Sequence, residues 1–80
     1  VGDDLLAQMR RNPAADWTIA DVQKLCRRYG LLYRPGSGTS HNQVKHPRAK
    51  QIVTVPARRP IKPVYIRKLV RYIDEYGDAS

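Results

Sequence analysis

His41, His46 and Cys26 are the side chains of this 80-residue chain best suited to proton transfer or nucleophilic attack near neutral pH. Carboxylates are the usual alternative, but their placement is against them. Asp3, Asp4, Asp16 and Asp21 lie early, Asp74, Glu75 and Asp78 lie late, and the stretch between Asp21 and Asp74 holds none. Paired acids that divide general-acid and general-base work therefore have no material in the middle of the chain. A metal site needs three or four ligands. The two histidines are five residues apart, a spacing that points them to opposite faces of an extended strand. No metal and no small-molecule cofactor is expected. His41 follows a Gly/Ser/Thr loop, and alternation groups it with Gln43 and Lys45, away from Val44 and His46. That is the setting a reactive histidine needs, with scaffold behind it and anion-attracting groups beside it, although an exposed strand histidine is more often a plain surface residue. His46, before Pro47 and on the inner side, reads as structural. Cys26 falls on an apolar helix face and reads as core.

Groups that bind anions cluster around His41 in the sequence. Gly36-Ser37-Gly38-Thr39-Ser40 offers backbone N–H groups and hydroxyls. It lacks the Gly-Lys-Ser/Thr ending of a P-loop, and strings of turn residues ordinarily form simple loops. Arg58, Arg59 and Lys62 lead into a helix whose N-terminal N–H groups also favour anions. Tyr33 and Tyr65 are available to stack on bases, though tyrosines beside a core more commonly pack there. Fifteen Lys and Arg against seven Asp and Glu give a net charge of +8, and 13 of the basic residues fall in the acid-free stretch. A surface serving solubility alone mixes both signs. This separation points to a polyanion, with nucleic acid the leading candidate.

The elements that must position these residues follow from periodicity and punctuation. Asp3 to Arg11 carries Leu5, Leu6 and Met9 at helical spacing and stops at Asn12-Pro13. Thr18 and Asp21 form a capping-box pattern ahead of Ile19, Val22, Leu25, Cys26 and Tyr29 on one helical face, with Gly30 as the stop. Three strands are expected, at 31–34, 40–46 and 51–55, the last two forming an antiparallel hairpin. Pro63 opens a closing helix with Ile66, Leu69, Val70 and Ile73 as its stripe, Tyr65, Tyr72 and Tyr76 flanking it, and Gly77 at its end. The order is α-β-β-β-α behind a short leading helix. An α+β domain results, with a three-stranded antiparallel sheet and both main helices on one face. Residues 1–16 read as a helical extension and 17–77 as the domain. The apolar runs fall far short of the roughly 20 residues a membrane span needs. A lone cysteine and the lack of a signal-like opening suit a cytoplasmic setting.

The string Ser40-His41-Asn42-Gln43-Val44-Lys45-His46-Pro47 resembles the Ser-His-x-x-apolar-x-His-Pro signature of the HicA toxin family. Cys26-Arg27-Arg28-Tyr29-Gly30, Val53-Thr54-Val55-Pro56 and the helix from Ile61 to Ile73 resemble further elements of that family in the same order, from about Trp17 to Tyr76. Two positions depart from it: Val44 stands where an aromatic is frequent, and Arg58 where a histidine is common. The resemblance implies a double-stranded-RNA-binding-like fold and the toxin of a type II toxin-antitoxin system. Such a toxin is an endoribonuclease (mRNA interferase) that cleaves single-stranded mRNA without a metal and is restrained by a HicB-like antitoxin. His41 would be the catalytic base, with Arg34, Gly38, Ser40, Gln43, Lys45, Arg58, Arg59 and Lys62 contacting RNA. The alternatives are a non-catalytic RNA-binding module of the same fold, an inactivated toxin that only binds its partner, a winged helix on DNA, or a basic surface for an acidic protein. A β-strand directly after the best early helix argues against the winged helix.

Overall fold

Each element forms where its local chemistry allows. The structure, a computed structural model, describes residues 4–36 and 41–78. In chain order these build α1 (Leu5–Arg11), α2 (Ile19–Tyr29), β1 (Leu32–Arg34), β2 (His41–Lys45), β3 (Val53–Pro56) and α3 (Pro63–Tyr76). At the start of α2, the Asp21 carboxylate accepts hydrogen bonds from the Thr18 backbone N–H (2.9 Å) and hydroxyl (3.1 Å). This satisfies a donor that the helix end would leave orphaned. Gly30 ends α2 in the left-handed region at φ 74°, a conformation that costs glycine little. Pro63 occupies the first turn of α3, where its missing N–H is no loss.

The three strands make one antiparallel sheet in the order β1-β2-β3. Tyr33 lies opposite Val44, Val44 opposite Val53, and Asn42 opposite Val55. Alternation sends Asn42, Val44 and Val55 into the interior, while Leu32, Arg34, His41, Gln43 and Thr54 stay exposed. One core of Leu25, Cys26, Ile61, Ile66, Leu69 and Ile73 fills the space between the helices and the inner sheet face. Helix α1 contributes Leu6 and Met9 to that same core and packs along α3. Its Arg10 clamps Asp74 of α3 with two hydrogen bonds of 2.6 and 2.7 Å.

Some details differ from the sequence expectation. Strand β3 begins at Val53 rather than Gln51, because the Gln51 carbonyl accepts the Tyr72 hydroxyl at 2.6 Å instead of entering the ladder. Tyr72 accordingly is a buried hub and not a flanking ring. Trp17 is half-buried against the core, and its indole N–H donates to the Asn12 carbonyl at 2.8 Å, which closes the turn between α1 and α2.

Candidate functional site

His41 opens β2, the central strand, and lies opposite Pro56 of β3 on the exposed side of the sheet. Its neighbour Asn42 is turned inward and buried. The Asn42 side-chain oxygen accepts from the Tyr33 hydroxyl (3.0 Å) and the Gly36 N–H (3.3 Å), and its amide donates to the Val55 carbonyl (3.4 Å). A buried amide satisfied by both neighbouring strands holds this end of the sheet in register. The backbone that presents His41 is fixed from the residue beside it. The loop candidates Gly38 and Ser40 lie outside the described residues.

Two hollows meet at this histidine. One, of about 340 Å³, is lined by His41, Pro56, Arg58, Lys62 and Tyr65. The other, of about 470 Å³, runs between β3 and α3, sharing His41, Pro56 and Tyr65 and adding Lys68, Arg71 and Glu75. The connector from β3 to α3 sets the first hollow. The Ile61 N–H donates to the Trp17 carbonyl at 2.9 Å, and its side chain is fully buried. Lys62 then falls at the N-cap of α3, adding its ammonium to the positive end of the helix dipole.

Other candidates are placed elsewhere. The Arg59 guanidinium points to Asp16, at 3.0 Å, and that hydrogen bond raises its pKa further above its usual value. Arg34, Gln43 and Lys45 share the outer sheet face with His41 but line a separate hollow of about 300 Å³, together with Leu32, Tyr33 and Ile52. His46 is fully buried and pins β2 to the end of α3. Its Nδ1 accepts from the Arg48 N–H (3.0 Å), which fixes the proton on Nε2, and Nε2 donates to the Gly77 carbonyl (3.0 Å). Cys26 is buried, and loss of solvation pushes its thiol up to about 11.

Sequence reading left Lys68, Arg71 and Glu75 without a role. The signal for Lys68 and Glu75 was present, because Tyr65, Lys68, Tyr72 and Glu75 recur every three or four residues along α3, with Arg71 three residues after Lys68. The stripe is polar, and only the tertiary structure shows that it lines a groove ending at His41. Among the described residues no three His, Cys, Asp or Glu side chains gather as a metal site, and no helix is long and apolar enough to cross a membrane. The arrangement couples an imidazole, able to move a proton, to cations able to hold an anionic group. Compared with known protein families, curated proteins and solved structures, the chain gives no match.

Proposed function

We propose that this protein is an endoribonuclease of the HicA kind, with a double-stranded-RNA-binding-like fold, that cleaves single-stranded mRNA in the cytoplasm without a metal and is restrained by a HicB-like antitoxin. The observation that carries this reading is His41, exposed on the central strand where two hollows meet, with Arg58 and Lys62 lining one of them. His41 accepts the proton of a ribose 2′-OH. The 2′-oxygen forms a bond to the adjacent phosphorus as the bond to the 5′-oxygen breaks, and the proton returns from His41 to that leaving oxygen. The products are a 2′,3′-cyclic phosphate and a 5′-hydroxyl. Arg58 and Lys62 stabilise the charge that builds on the phosphoryl oxygens, with Lys45, further along the same outer sheet face, drawing the strand in. General-base assistance is typically worth about 10²–10⁴-fold, and preorganised donors about 10²–10³-fold.

The chemistry is tested with an RNA carrying one 2′-deoxynucleotide at the mapped cleavage position. Cleavage there stops while other positions are still cut, and the products carry cyclic phosphate ends. Continued cleavage at the deoxy position would contradict the 2′-oxygen as nucleophile. An RNA retained but uncut by the parent protein would assign the surface to binding alone.

A further inference from the structure

The hollow between β3 and α3 extends well past His41, further than one reacting phosphate needs. Tyr65, Lys68 and Tyr72 follow one another along α3 to Glu75, ten residues further on and about 15 Å away at 1.5 Å per residue. Across from them runs β3, an edge strand, which lines the groove with Val53, Thr54 and Pro56. The Lys68 ammonium lies 5.8 Å from the centre of the Tyr65 ring. Both hollows share Tyr65, so the ring stands beside the histidine at the point where they join. Among the described residues Glu75 is the one acid lining the groove, and it sits at the far end.

From this arrangement we infer that the groove between β3 and α3 is the track of a single-stranded polynucleotide, with Tyr65 as stacking platform for the base beside His41 and Lys68 and Arg71 as phosphate contacts. The inference rests on the ribonuclease reading only for which phosphate reacts. Cations flanking an aromatic ring in an open trough are the combination that holds single strands without reading sequence. An acidic protein would use the cations but have no need of the ring. Glu75 repels the backbone and marks where the strand leaves the groove. Binding along the track also gives a long strand an advantage over a dinucleotide, since contacts remote from the reacting bond contribute to holding it in place.

The test measures fluorescence anisotropy of a labelled, uncleavable 2′-O-methyl RNA strand across a salt series. Lys68→Ala with Arg71→Ala flattens the dependence of log K on log salt by about 1.4, two phosphates at about 0.7 each. Tyr65→Leu weakens binding about tenfold, whereas Tyr65→Phe retains it, because the ring and not the hydroxyl carries the stack. Glu75→Gln tightens binding. Lys24→Ala, at an exposed position of α2, serves as the control and binds like the parent. Thermal melts compare the folding of the two Tyr65 variants. An unchanged salt slope in the Lys68/Arg71 variant overturns the track, and it does so without touching the nuclease reading if the parent still cleaves RNA through His41. Displacement of the strand by poly-glutamate, with Tyr65→Leu binding like the parent, assigns the groove to an acidic protein and also overturns it. A parent that binds through Lys68, Arg71 and Tyr65 yet cuts nothing supports the track and removes the nuclease.

Discussion

Burial separates His41 from His46, two identical side chains on one short stretch. The His46 ring uses both nitrogens on backbone partners and packs 5.5 Å from the Tyr76 ring, while its backbone N–H donates to the Tyr72 hydroxyl. His46→Ala leaves the Arg48 N–H and the Gly77 carbonyl without their ring partners beside a void and destabilises the fold by about 2–4 kcal/mol in urea unfolding. His41→Ala, at an exposed position, leaves unfolding essentially unchanged. Cys26 and Tyr29 give a pH prediction. Burial raises the thiol from 9.0 to about 11, and burial followed by the Asp4 hydrogen bond raises the phenol from 10.0 to about 12. Both groups ionise more readily in the unfolded chain. Their contribution is therefore complete below pH 9 and lost as pH rises through about 11 and 12. Stability declines across that alkaline window, and native Cys26 resists a thiol reagent that labels it in urea. Alternation alone made the opposite fates of the two histidines legible. The Asn42 bridge and the Tyr72 hub were not, because a polar side chain's buried partners come from distant parts of the chain.

Helix ends were the most legible elements, because their signals are local: Thr18 with Asp21, Gly30, Pro63 and Gly77 each mark a boundary within a turn of where it falls. Strand ends were less so, since the start of β3 depends on a hydroxyl arriving from α3. Helix α1 shows the same limit. Its seven residues are too few to be stable alone, and its place was set by Met9 entering the core and Arg10 reaching Asp74. Met9→Ala should therefore cost about 2–5 kcal/mol in urea unfolding, as for a core residue of a single unit. A cost below about 1 kcal/mol would make α1 a loosely attached arm. Arg10 holds the Asp74 carboxyl below the usual carboxylate range. The contribution of that pair, small because both side chains are exposed, is present above the ordinary carboxylate pKa and lost only as pH falls through the lowered one.

Across the whole molecule, five of the seven acids are drawn into structural contacts that leave the basic surface in place. Asp16 binds Arg59, Asp74 binds Arg10, Asp78 binds Arg28, Asp4 accepts the Tyr29 hydroxyl, and Asp21 caps α2. Exposed ion pairs of this kind contribute little to stability. Their larger effect is spatial, because these five acids stay out of the hollows that meet at His41, which Arg58, Lys62, Lys68 and Arg71 line with Glu75 at one end. Net charge and its asymmetry were plain in the sequence. The convergence of α3's polar stripe on His41 was not, because it follows from how α3 crosses the sheet edge. The most direct test incubates the purified protein with labelled single-stranded RNA in EDTA, beside His41→Ala and a matching DNA strand. The account predicts that the parent cuts RNA but not DNA, and that His41→Ala loses about 10²–10⁴-fold of that activity while staying folded. RNA cleavage that His41→Ala retains, or that EDTA abolishes in the parent, would contradict it.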